Sequence, residues 1–142
     1  MKKAAIGVTP LWHRDRDSYW MLPGYLEGLE LAGLLPITLP LTEDAQDISQ
    51  LVSLCDGFLF TGRQDVPTRL YSEKPWQACG EICEKRGTFE QRLFAEVLEQ
   101  EKPMLGICRG IQFFDACLGG TLYIRTCLRR PFGGGVRYAS AL

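Results

Sequence analysis

The sequence predicts the α/β fold class, with a doubly wound, mostly parallel sheet carrying helices on both faces. Two observations carry that expectation. Short apolar runs alternate with stretches of helical periodicity at least four times along the chain, the pattern of strand and crossover helix that builds a parallel sheet. The run at 57–61 (GFLFT) is also too continuously apolar to face water on either side, as a strand buried on both faces is. The 142 residues, 46% hydrophobic and 23% charged, suffice for one domain with its own core and not for two ordinary ones.

Taken in order, residues 3–9 (KAAIGVT) form an apolar run ended by Pro10 and read as a buried first strand. Pro23 fits the first turn of a helix, where its missing N–H costs nothing, and Tyr25, Leu26, Leu29 and Ala32 then share a face until Gly33 stops it. Residues 35–40 are the second strand, and Ala45, Ile48, Leu51 and Val52 mark a second helix over 44–54. Residues 57–61 (GFLFT) are a third strand. From 62 to 87 the periodicity fails around Pro67, Pro75 and Gly80, which predicts a long loop of the kind that often carries function. Thr88 and Gln91 have capping-box spacing and predict that a helix starts there and runs to about residue 100. Residues 103–107 (PMLGI) are a fourth strand, followed by an apolar helix over 109–118 that Gly119 and Gly120 end.

Composition narrows the function classes. No apolar run is long enough to span a bilayer, and the N-terminal run ends in Trp-His-Arg-Asp without a small-residue cleavage site, so a membrane partner and a signal peptide are not expected and a cytoplasmic location is. Residues 1–123 hold all 17 acidic groups against 12 basic ones, a net of −5, whereas residues 124–142 hold four arginines and no acid. An acidic body argues against nucleic acid as the partner, because phosphate neutralisation needs clustered cations. The break also divides the chain into a domain-like part, 1–123, and an atypical basic tail, 124–142. The six cysteines read as free thiols in a chain without a secretory signal. Metal is not expected either: Cys79 and Cys83 are the one close pair and the single histidine, His13, is far off, whereas a structural zinc site takes four ligands.

Chemistry concentrates at Gly106-Ile107-Cys108-Arg109-Gly110, which joins a strand directly to a helix. This is the cysteine counterpart of the Gly-x-Ser-x-Gly elbow, in which flanking glycines allow a sharp turn that leaves the nucleophile exposed. A sulfur at a helix N-terminus faces unpaired N–H groups and the positive end of the macrodipole, which favour its thiolate. The Arg109 N–H points at the same spot and can stabilise an oxyanion. The pentapeptide alone also fits a buried core cysteine, a common fate of that residue. Cys117, nine residues further along the helix, is most simply core.

Residues 102–112 (KPMLGICRGIQ) and 118–123 (LGGTLY) resemble the nucleophile region of class I glutamine amidotransferase-like hydrolases, and within them the γ-glutamyl-γ-aminobutyrate hydrolases of peptidase family C26. Residues 6–10 (IGVTP), Ala32-Gly33 with Pro36, Asp56-Gly57 leading to Thr61-Gly62 and Asp65-Val66, and Arg86 with Phe89-Glu90 agree in the same order. The resemblance covers 1 to about 123 and implies a flavodoxin-like fold without cofactor or metal. It implies hydrolysis of a small-molecule γ-glutamyl amide through a thioester on Cys108. It also implies oxyanion donors in the backbone N–H groups of Arg109 and of the Gly62-Arg63 turn, and Gln112 as a residue that holds the glutamyl end.

Two departures qualify what the resemblance implies. Arg63 stands where the family usually has the second glycine of Thr-Gly-Gly, and if that turn needs a positive φ an arginine there costs on the order of 1 kcal/mol or more. The family's catalytic His and acid lie well downstream of the nucleophile, whereas this sequence ends thirty-four residues after Cys108 and His13 matches no family position. The expectation is a truncated or frame-shifted chain whose sheet is incomplete, with an incomplete triad and little turnover. An edge left unpaired favours self-association, so a homo-oligomer is expected alongside. Two rivals stand beside this reading: a non-catalytic relic or binding module, and an amidotransferase subunit that delivers ammonia to a synthase.

Overall fold

The structure is a computed structural model that describes residues 1–71 and 82–120. Among the described residues, six strands and four α-helices follow in the order β1 (Ala5–Val8), β2 (Leu11–His13), β3 (Ser18–Trp20), α1 (Pro23–Leu31), β4 (Leu35–Thr38), α2 (Ala45–Leu54), β5 (Gly57–Phe60), a 3-10 turn at Thr68–Tyr71, α3 (Glu84–Glu99), β6 (Met104–Gly106) and α4 (Arg109–Cys117). β4, β1, β5 and β6 form one parallel sheet in that order. In chain order of those four strands this is 2-1-3-4, the doubly wound arrangement whose direction reverses between β1 and β5. The expected fold class is therefore present, and the carboxyl ends of β1 and β5, at Thr9 and Thr61, stand where open α/β sheets bind ligands.

Burial follows from position in the sheet. All four residues of β5 are buried, as its continuous apolarity predicts, whereas the edge strand β4 leaves Leu35 and Ile37 exposed. Phe60, Phe94, Phe113 and Phe114 pack together in the core, with Phe60 stacked on Phe113 at 6.0 Å between centroids and edge-on to Phe114 at 5.0 Å. That aromatic block fastens α3 and α4 to β5, the strand that borders the reversal point. Asp44 caps α2 by accepting the Gln46 and Asp47 N–H groups at 2.8 and 3.0 Å. Gly33, at φ 79°, ends the first helical segment as expected. No helix among the described residues is long and apolar enough to cross a membrane.

Two expectations are corrected, and one element is added that the sequence did not suggest. The stretch at 11–20 contains an antiparallel hairpin, β2–β3, pairing Leu11 with Trp20 and Trp12 with Tyr19; its charged turn hid the strands, and an edge-on Trp12–Tyr19 contact holds them. The predicted loop at 62–87 is shorter than expected, because α3 begins at Glu84. Thr88 is not a cap: its hydroxyl and the Gln91 side chain both accept from the Arg69 guanidinium, at 3.3 and 3.1 Å. The early start was hidden by Arg86 and Glu90, charged residues that occupy core-facing positions four and three residues apart from each other and from Leu93. Residues 72–81 of the loop, including Trp76 and Cys79, and residues 121–142, which include the basic tail 124–142, lie outside the described residues.

Candidate active site

The elbow at Cys108 is built by steric exclusion. A Cβ on Gly106 would stand 2.6 Å from the Gly110 carbonyl carbon, and one on Gly110 would collide with the carbonyl oxygen of Phe60. Both neighbours are backbone, so neither can move aside, and only glycine lets α4 start directly against β5 and β6. Cys108 takes the strain of the turn at φ 54° and ψ −105°, a region that side chains rarely adopt and that recurs at functional positions. Its side chain is exposed. The Cys108 carbonyl accepts from Ile111 and Gln112 N–H at 3.1 and 3.3 Å, leaving the Arg109 N–H as one of the first-turn donors without an intrahelical acceptor.

The turn after β5 meets the elbow from the other side. Thr61 and Thr9 are fully buried and tie the ends of β5 and β1 together: the Thr61 N–H donates to Thr9 Oγ1 at 3.0 Å, and the Thr61 hydroxyl donates to the Thr9 carbonyl at 2.8 Å. The Gly62 N–H donates to the Tyr25 hydroxyl at 3.0 Å. A Cβ on Gly62 would lie 3.4 Å from Cys108 Cβ, which places this turn beside the Cys108 side chain. Arg63 and Gln64 follow at φ 59° and 38°, so Arg63 does occupy the left-handed conformation that a glycine would take more cheaply. Its guanidinium rests on the Trp20 ring at 5.3 Å, while the Gln64 amide donates to the Trp12 carbonyl at 2.9 Å. The hairpin thereby pins the strained turn.

Beneath both turns lies a buried cluster of charge. Arg86 and Glu90 are 0% exposed. Arg86 donates to the Thr61 carbonyl at 2.8 Å, the Thr61 hydroxyl at 2.9 Å and the Gly62 carbonyl at 3.0 Å, and its Nε donates to Glu90 Oε1 at 3.0 Å. The other Glu90 oxygen accepts from Arg109 Nη1. Burial by itself would push the Glu90 carboxyl up, but the guanidiniums of Arg109 and Arg86, with a hydrogen bond from Thr9, hold it below the ordinary carboxylate range. Burial also lowers the Arg86 guanidinium, and Glu90 opposes that. Among the described residues, Arg109 Nε is the buried side-chain atom left without a hydrogen bond.

The sequence-predicted residues thus separate. Cys108, the Arg109 backbone, Gly62 and Arg63 come together at the carboxyl end of β5 and β6. Gln112 follows Cys108 by one helical turn, half-buried, on the same α4. His13 stays local: its Nδ1 accepts the Arg16 N–H at 3.3 Å inside the hairpin. A groove between α2 and α3, lined by Ala45, Ile48, Arg92 and Glu96, contains no residue of the elbow. Sequence reasoning missed Tyr25 and the roles of Arg86 and Glu90. The available signal was a charged pair set on the apolar face of a helix, where burial must be compensated by a partner.

With this geometry in view, the similarities to known proteins fall in one group. The peptidase C26 family matches residues 5–130. Protein NtpR of Enterococcus hirae is 35% identical over 100 residues, covering 70% of this chain and 41% of its own. The glutamine amidotransferase-like YvdE homolog of Lactococcus lactis subsp. cremoris is 32% identical over 128 residues, covering 84% of this chain and 68% of its own. A γ-glutamyl-γ-aminobutyrate hydrolase of Escherichia coli O157:H7 is 32% identical over 132 residues, 89% of this chain and 51% of its own. The chain spans about half the length of several curated relatives that it matches.

Proposed function

The chain belongs to the peptidase C26 family, and from that premise we propose that Cys108 attacks the side-chain carbonyl of a small γ-glutamyl amide of the γ-glutamyl-γ-aminobutyrate type. The observation that carries this reading is the exposed, strained Cys108 at the head of α4, held beside the Thr61–Gly62 turn. The sulfur bonds to the carbonyl carbon, the carbonyl electrons move to oxygen, and the C–N bond breaks as the tetrahedral adduct collapses. The thiol proton leaves with the amine, and a γ-glutamyl thioester remains. The oxyanion is held by the Arg109 N–H together with the Arg63 N–H, because the Gly62 N–H is already taken by Tyr25. Gln112, one turn along α4, is the residue assigned to the glutamyl end.

Hydrolysis of the thioester needs a base that activates water. His13, the one histidine of the sequence, is engaged in its own hairpin, so the 142-residue chain acylates faster than it turns over. Stopped-flow release of p-nitroaniline from γ-glutamyl-p-nitroanilide, with mass spectrometry of the acylated peptide, tests both parts. The expected result is a burst of one equivalent, located on Cys108 and abolished in Cys108→Ser, followed by a slow steady state. Absence of a burst, or acylation elsewhere, overturns the nucleophile; rapid steady-state hydrolysis that depends on Cys108 overturns the slow second step.

A further inference from the structure

We infer that Glu90 is a positioning residue that sets the Thr61–Gly62 turn and the Cys108–Arg109 elbow at their working distance through Arg86 and Arg109. The inference rests on the reading of Cys108 as the nucleophile and adds to it the residue that holds the two halves of its oxyanion site in register.

Three observations converge on Glu90. Its two carboxylate oxygens are divided between the two guanidiniums, Oε1 accepting from Arg86 Nε and Oε2 from Arg109 Nη1. Each arginine belongs to one of the two turns in a different way. Arg86 clamps the first by donating to both successive carbonyls, Thr61 and Gly62, and Arg109 is itself the residue after the nucleophile. The cluster is also buried throughout, with side-chain exposures of 0% for Arg86 and Glu90 and 3% for Arg109. A fully buried ion pair is a poor source of stability, since well-packed apolar side chains of similar volume do as well or better. Its charge and planar fork geometry instead fix direction, which is what two backbone N–H groups aimed at one oxygen require.

The cluster holds two cations and one anion, and this gives the inference a sign. Glu90→Gln keeps the shape and raises the buried positive charge. A purely electrostatic role would therefore make oxyanion formation faster in that variant. A positioning role makes it slower.

The test compares two probes at Cys108, each followed by mass spectrometry of the Cys108 peptide. p-Nitrophenyl acetate acylates through a tetrahedral oxyanion, whereas iodoacetamide alkylates by displacement and forms none. In Glu90→Gln the acetylation rate is expected to fall at least tenfold while alkylation stays within twofold. Arg86→Lys, which keeps the charge facing Glu90 but loses the double hold on Thr61 and Gly62, is expected to show the same selective loss, and it decides the matter if Glu90→Gln does not fold. Equal change of both rates, no change in either, or faster acetylation in Glu90→Gln overturns the inference. So does loss of cooperative unfolding in both variants, because the cluster would then serve the fold as a whole. Because p-nitrophenyl acetate carries no glutamyl group, failure of the γ-glutamyl substrate assignment leaves this readout intact.

Discussion

Gly62 and Cys108 approach so closely across the head of the sheet that a methyl group on Gly62 would sit 3.4 Å from the Cys108 Cβ and 2.8 Å from the Tyr25 hydroxyl. The turn that follows β5 is therefore one wall of the surroundings of Cys108, and its shape is set by a missing side chain.

Gly62→Ala should show this directly. The added carbon displaces Tyr25, breaking the hydrogen bond from the Gly62 N–H, and it crowds the approach to the sulfur. We expect a stability loss of about 1–2 kcal/mol and at least a tenfold drop in Cys108 acylation by γ-glutamyl-p-nitroanilide. A variant that acylates at the parental rate would mean that the substrate approaches from another side.

Gly110→Ala separates folding from chemistry. Its methyl group would meet the Phe60 carbonyl, part of β5 itself, so relief requires moving the helix and not a side chain. Urea unfolding should show a loss of about 3 kcal/mol. A loss below 1 kcal/mol would indicate that α4 docks less tightly on β5 than described.

The Glu90 carboxyl, held below its ordinary range by Arg109 and Arg86, makes the fold sensitive to acid. The unfolded chain binds this proton near pH 4.3, whereas the folded chain resists it to lower pH. The contribution of Glu90 is therefore complete above the unfolded value and is lost as pH falls through the folded one. Urea midpoints measured from pH 7 to pH 3 should converge for the parent and Glu90→Gln, starting about 3 kcal/mol apart at neutral pH. Parallel curves would show that the carboxylate is not the titrating group.

Burial pushes the Cys117 thiol up to about 11, and burial together with Asp56 raises Cys55. At pH 9, limiting iodoacetamide should alkylate the exposed Cys108 at least tenfold faster than either, as peptide mass spectrometry would read. For Cys117 the protonated form is favoured in the folded chain. Its contribution to stability is present below the unfolded value, about 8.5, and is lost as pH rises through 11. Comparable labelling of all three thiols would show that the core around Cys117 opens readily.

The parts of this molecule legible in its sequence are those where one residue type has one physical reason to be present. Gly106 and Gly110 announced the elbow because nothing larger fits, and the apolar 57–60 segment announced a central strand because nothing polar interrupts it. Arg63 could be read as a departure because a position that favours glycine makes any other residue conspicuous, and its φ of 59° agrees. The hairpin was not legible, since Trp12 and Tyr19 are stabilised by each other across strands and not by a periodic pattern. Arg86 and Glu90 were misleading in the opposite sense. Read singly, they interrupt an apolar stripe and delay the helix start, and only the location of Thr61, Gly62 and Arg109 around them turns the interruption into a purpose.

The Thr9–Thr61 latch has a kinetic consequence. It joins residues 52 apart in the chain, and Arg109 must then reach Glu90 from 19 residues further along. The first of these contacts spans a long loop, so its formation carries the loop-closure cost of bringing β1 and β5 together. β1 pairs with β5 across the same span, Ile6 beside Gly57, so the latch closes together with the centre of the sheet, and the elbow that carries Cys108 has its second wall only once that sheet has formed.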